Sequence, residues 1–275
     1  MSTTVKHKSL TDMPGFKAVT YILFAFLYLP IFVLIAFSFN SSTSISVWET
    51  FSFKWYAIAA ANTDLQKAVV NTLIVGAVAT IGAVLIALPA ALVLNGPEVP
   101  TKTSTRAIGL MSLPLVVPEI VIAIATLVFF TTVGIDLGLG NVMIAHTVFC
   151  VPFALLPIIA RLKGMDARLN EAAFDLYASR WQTFRLVVLP QLMPGVISGA
   201  MLAFIVSFDN FIITLMVAGA GGTTLPLYIY GLVKTQITPE LNAVSTGVLI
   251  LSVIMLTAAF VITKGKIAGE TTTGN

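Results

Sequence analysis

The sequence predicts an all-α membrane protein of six transmembrane helices. Three observations predict it. First, 57% of the 275 residues are apolar and only 10% are charged, with a mean hydropathy of +0.98. Soluble domains carry about 25% charged residues, and fifteen basic plus twelve acidic side chains cannot solvate a globule of this size. Second, the apolar residues gather in six runs, 18–39, 68–95, 107–132, 141–160, 195–219 and 242–263. Each is long enough to cross about 30 Å of hydrocarbon at 1.5 Å per residue. Third, the basic residues between the runs are distributed unequally.

Taken in order, the first run follows a basic tail, residues 1–17, containing Lys6, His7, Lys8 and Lys17. It exceeds a signal-peptide core and no small-x-small site follows it, so it reads as an uncleaved span. An outer segment, 40–67, carries Trp48, Phe51, Phe53, Trp55 and Tyr56. Such aromatics suit the membrane interface, and docking to an external protein is the alternative. The second run closes on the breaker sequence Asn95-Gly96-Pro97. The third contains Pro114 and Pro118, and the fourth contains His146 and Cys150. That pair is too small a ligand set for a metal, so core packing or a hydrogen bond to a neighbouring helix is expected. Gly219, Gly221 and Gly222 give the second outer segment, 220–241, a flexible start. Thr238-Pro239-Glu240 then has the chemistry of a helix N-terminus. A polar tail, 265–275, ends the chain.

With the N-terminus inside, Lys6, Lys8, Lys17, Lys102, Arg106, Arg161, Lys163, Arg168, Arg180, Arg185, Lys264 and Lys266 are cytoplasmic, and only Lys54, Lys67 and Lys234 are external. This asymmetry places both termini, and the polar segment 161–193, in the cytoplasm. That segment cannot cross the bilayer cheaply. Leu169, Ala172, Ala173, Leu176 and Tyr177 recur at helical spacing within it. Asp166 can cap a short helix reaching about Ala178. Ser179 can cap a second one bearing Phe184, Val187 and Val188, which ends near Leu189-Pro190. Two readings fit: a knob for a soluble partner's groove, or an amphipathic pair resting on lipid headgroups.

The series Glu171, Ala172, Ala173, then Val187, Leu189 and Pro190 resembles the EAA loop of ABC-transporter permease subunits. Tyr28-Leu29-Pro30, Lys54-Trp55-Tyr56, Asn71-Thr72-Leu73, Ser207-Phe208-Asp209-Asn210 and Thr224-Leu225-Pro226 extend the likeness to spermidine/putrescine-type permeases. The resemblance implies the transmembrane domain of a type I ABC importer, occupying 18–264, in a bacterial inner membrane. It implies a second permease subunit, different rather than identical, two cytoplasmic ATPase subunits that bind ATP and Mg, and a periplasmic solute-binding protein. No nucleic acid enters this reading. Glu171, Ala172, Ala173, Asp175, Tyr177, Ala178, Leu189 and Pro190 would couple to the ATPase. The chain departs at Tyr177, where the family usually has Gly. The expected result is a less sharp turn, or a ring that enters the partner's cleft. No cofactor is expected in this chain, because it lacks a Gly-rich phosphate loop ending in Gly-Lys-Ser/Thr.

Glu119 and Asp209 are the acidic residues deep within predicted spans, each roughly 18–21 Å from the cytoplasmic side. Neither has a basic partner within a span, and such acids mark substrate pathways by default. A cationic, polyamine-like substrate would pair with them, with Phe208 and Phe211 adding cation–π attraction. The alternative is structural: Glu119 follows Pro118 and can serve freed backbone donors at a kink. Asn210 stands where polyamine permeases often have a second acid, which leaves opine, amino-acid-derived or iron substrates open. A secondary transporter would require broken helices or repeated halves. An enzyme would require a nucleophile–base pair or an HExxH motif, and the sequence contains neither.

Overall fold

The computed structural model describes residues 15–96, 98–166, 168–235 and 238–271, with side chains through Ile254 and at Thr257. Lys6, His7, Lys8, Pro97 and the tail before residue 15 lie outside the described residues. The helices are α1 (Phe16–Ser38), α2 (Lys54–Ala61), α3 (Thr63–Leu94), α4 (Thr101–Met111), α5 (Glu119–Val133), α6 (Leu139–Lys163), α7 (Arg168–Asp175), α8 (Arg180–Thr183), α9 (Leu189–Asp209), α10 (Ile212–Val217), α11 (Leu225–Thr235) and α12 (Glu240–Thr271). Among the described residues four helical stretches are long and apolar enough to span a bilayer: Phe16–Ser38, Thr63–Leu94, Leu139–Lys163 and Arg180–Asp209. They cover the expected first, second and fourth runs to within one residue, and the beginning of the fifth. α12 carries the sixth run and continues to Thr271, past its expected end at 263.

The chain forms two compact units, 1–62 with 232–251, and 63–231 with 252–275. In the first, α1 is apolar all round and exposes every side chain but a few near its end, which suits a helix surrounded by lipid or another subunit. The segment after α1 is ordered by one buried residue. The Asn40 side chain accepts the amides of Ser42 and Glu49 at 3.3 and 3.0 Å and donates to the Val47 carbonyl at 2.7 Å. Phe39, Phe51, Phe53 and Tyr56 cluster beside it, while Trp48, Phe51 and Phe53 stay exposed. The N-terminus of α12 departs from expectation at one atom. The Thr238 backbone carbonyl receives Leu241 N–H, but the buried Thr238 hydroxyl makes no hydrogen bond, so its side chain is not the cap.

The second unit is built on α3, α6 and α9. Ala79, Ala83, Ala87 and Ala91 repeat every fourth residue along α3 and are fully buried. Small side chains at this spacing let membrane helices approach closely. α9 uses the same device against α6: a Cβ on Gly199 would lie 2.6 Å from the Ala154 carbonyl oxygen.

Three expected boundaries are corrected. The third run is not one helix. It breaks between Met111 and Glu119 into a 3-10 turn, Leu113–Leu115, and an extended Pro118. Pro118 bars Val117 from helical geometry and offers no N–H of its own. The fifth run breaks at Asn210, whose φ and ψ of −67° and 113° are extended, and α10 resumes after it. The second short helix of the polar segment does not stop at Leu189-Pro190. α8 passes through a π-helical turn, Phe184–Val188, directly into α9. Pro190 lacks the N–H that would bond four residues back, and the path widens ahead of it rather than ending. The glycine-containing segment after α10 is also tied down. The Asn71 amide donates to the carbonyls of Gly221 and Thr223, both at 2.9 Å, and Leu225 N–H donates to the Thr72 hydroxyl at 2.7 Å.

Candidate functional site

The breaks in the third and fifth runs meet. Glu119 is the first residue of α5, where the helix dipole favours an acid, and its Oε1 accepts the Asn210 amide at 2.7 Å. The same Asn210 side chain caps α10 through its oxygen, which accepts Ile213 N–H at 3.2 Å. Asn210 is buried, Glu119 half-buried and Asp209 exposed. Asp209 is the last residue of α9 and directly precedes Asn210. Among the described residues the ion pairs are Lys67–Asp64 and Arg168–Asp166, so neither membrane carboxylate is neutralised by a Lys or Arg there.

The structure therefore brings Glu119, Asp209 and Asn210 together and separates the two rings expected beside them. Phe208 is buried and stacks on Phe204 at 6.0 Å. Phe211 packs against Tyr230 of α11 at 4.6 Å. Tyr230 was not a sequence candidate, because nothing in the spacing between α10 and α11 places it near the break. His146 was expected to pack or bond to a neighbouring helix. It bonds to two: Nδ1 lies 2.9 Å from Ser207 Oγ on α9, and Nε2 lies 3.0 Å from Thr214 Oγ1 on α10.

The polar segment after α6 forms a helix, a sharp turn and a second helix. Asp166 accepts the Arg168 amide at 3.0 Å and pairs with the Arg168 guanidinium, as close as 2.7 Å. That guanidinium holds the Asp166 carboxyl below the usual carboxylate range. Ser179 forms a full capping box with Gln182: its Oγ accepts the Gln182 backbone N–H at 3.3 Å, and its own backbone N–H donates to Gln182 Oε1 at 2.8 Å. Between the two helices Tyr177 takes φ 59°, the positive φ found at a non-glycine residue among those described. Tyr177 N–H bonds to Phe174 O at 2.9 Å and Ala178 N–H to Ala173 O at 3.0 Å, the hydrogen-bond pair of a Schellman motif. Gly134 ends α5 with the same pair, Gly134 to Thr131 and Ile135 to Phe130. The turn is thus as sharp as a glycine would make it, against the expectation of a wider one. Of the apolar face, Ala173 is buried while Leu169, Ala172, Leu176 and Tyr177 are exposed, Tyr177 at 97%. Glu171, Asp175 and Pro190 are exposed, and Ala178 and Leu189 half-buried.

Residues 83–264 match the family described as binding-protein-dependent transport system inner membrane component. The chain is 37% identical over 257 residues to the spermidine/putrescine transport system permease protein PotC of Escherichia coli strain K12, covering 94% of this chain and 96% of that one. It is 33% identical over 232 residues to the putrescine transport system permease protein PotI of the same strain, covering 82% of each. Among solved structures it resembles a bacterial ABC transporter involved in import of the acidic polysaccharide alginate, with TM-score 0.70 at 14% identity, covering 91% of this chain and 97% of that chain. It also resembles the MetNI methionine ABC transporter in an inward-facing conformation, with TM-score 0.60 at 22% identity, covering 74% and 95%.

Proposed function

We infer that this chain, which belongs to the family of binding-protein-dependent transport system inner membrane components, forms half of the translocation pathway for a small polyamine-like cation. The observation that carries the substrate class is the meeting of Glu119 and Asp209 at two helix breaks, without a Lys or Arg partner among the described residues. A carboxylate inside a membrane domain is costly unless paired, and an ammonium group in transit supplies the missing charge. The names of the PotC and PotI relatives support the same class.

The remaining half of the pathway comes from a second, different permease. Substrate arrives on a periplasmic binding protein, and two cytoplasmic ATPases bind ATP and Mg. The exposed surface of Leu176, Tyr177 and Ala172 beside Glu171 meets the ATPase, with Tyr177 entering its cleft. ATPase closure then drives a rigid-body, alternating-access change. Both termini are cytoplasmic. Asp209→Asn tests the pathway: uptake of putrescine should fall while assembly with the ATPase survives, and unchanged uptake refutes the role.

A further inference from the structure

We propose that His146 is a positioning residue for the carboxylate site, holding the α9–α10 break in the geometry that presents Glu119. The inference rests on the reading that Glu119 and Asp209 line the pathway, but its basis is a separate polar chain. His146 is only 1% exposed, and Ser207, Asn210 and Thr214 are buried with it. The Thr214 hydroxyl has one proton and is oriented to the Asn210 carbonyl at 3.3 Å. With that proton so used it accepts from His146 Nε2–H, and we assign Nδ1 as the acceptor of the Ser207 hydroxyl. The neutral imidazole with its proton on Nε2 satisfies every group.

The chain runs on from there. Thr214 holds the backbone carbonyl of Asn210, the extended residue at the break. The Asn210 side chain caps Ile213 with its oxygen and holds Glu119 with its amide. A residue outside both helices would otherwise rotate about its φ and ψ. Here its carbonyl and both ends of its side chain are fixed, and the imidazole bridges the helices on either side. Buried groups left without a partner are costly, so this arrangement favours one orientation of Asn210 over its alternatives.

The test uses the assembled importer in proteoliposomes, with putrescine as the probe. His146→Asn keeps an amide near the Nδ1 position and loses the Thr214 contact, while His146→Gln reaches the Nε2 position and keeps it. Thr214→Val is isosteric and breaks the chain without touching the imidazole. One lost buried hydrogen bond should raise the half-saturating putrescine concentration roughly three- to tenfold in His146→Asn and Thr214→Val. His146→Gln should remain near wild type, and complex yield should hold in all three. Alkylation of Asp209→Cys reports the break directly, because the native Cys150 is buried. Its rate should change with His146→Asn and not with His146→Gln. If Asn and Gln behave alike in both assays, His146 is packing and the proposal is overturned. If alkylation separates them while Glu119→Gln leaves the putrescine dependence unchanged, His146 still positions the break, and the pathway reading is what fails.

Discussion

Replacing Tyr177 by glycine should stabilise the permease while weakening its coupling. Tyr177 sits at φ 59°, where a Cβ collides with the following carbonyl at a cost of about 1–2 kcal/mol. Glycine removes that collision but brings extra unfolded-state freedom worth about 0.5–1 kcal/mol. The ring is 97% exposed, so its deletion costs the isolated fold nothing in burial. The net gain is about 0.5–1 kcal/mol, and at roughly 2–4 °C per kcal/mol for a chain of this order of size the melting temperature rises by about 1–4 °C. Thermal unfolding of the purified permease without its ATPase measures this. Tyr177→Ala is the control, since it removes the ring but keeps the strain and should leave the melting temperature near wild type. If alanine stabilises as much as glycine, backbone strain is not the cause. If glycine lowers the melting temperature, the turn is not strained at all. In the full importer both variants remove the ring proposed to enter the ATPase cleft, so both should lower uptake per ATP hydrolysed.

Ser179→Ala removes one side of the capping box with Gln182 and should cost about 1 kcal/mol, read as faster proteolysis between α7 and α9. Gly199→Ala places a Cβ 2.6 Å from the Ala154 carbonyl oxygen. It should force α6 and α9 apart at a cost of about 1–3 kcal/mol, measurable as lower yield of folded permease.

Legibility followed the strength of the local chemistry. The first, second and fourth apolar runs, the Ser179 cap and the Asp166 cap depend on composition or on residues a few positions apart, and they form as read. The break at Pro114 and Pro118 was visible only as a kink in a continuous span. Two prolines separated by three residues in fact leave no room for a helix between them. The break at Asn210 has no proline or glycine to announce it. It depends on partners 91 and 64 residues away in sequence, Glu119 through its side chain and His146 through Thr214. The conformation at Tyr177 was misread for the opposite reason. The residue type argued against a tight turn, and two backbone hydrogen bonds plus the following Ser179 cap outweigh about 1–2 kcal/mol of local strain.

The boundary that sequence reasoning placed at Leu189-Pro190 bears most directly on the proposed mechanism. A stop there would put a loop between the helix proposed to face the ATPase and the membrane, and a loop absorbs displacement. Instead the path from Arg180 to Asp209 is helical throughout, roughly 45 Å at 1.5 Å per residue. One end begins two residues after the Tyr177–Ala178 turn and the other ends at the residue before Asn210. Arg161 Nε donates to Gln191 O at 2.7 Å, tying α6 to this rod in its N-terminal half, and Gly199 against Ala154 keeps the two helices in contact further along. Under the proposed mechanism, a push on the turn at Tyr177 would reach the carboxylate site as a shift of one packed pair of helices. The π turn at Phe184–Val188 is the one non-α element along the path between them. It is where a change of helical register can be taken up without breaking the rod, and His146, on α6, is bonded to Ser207 near the far end of that rod.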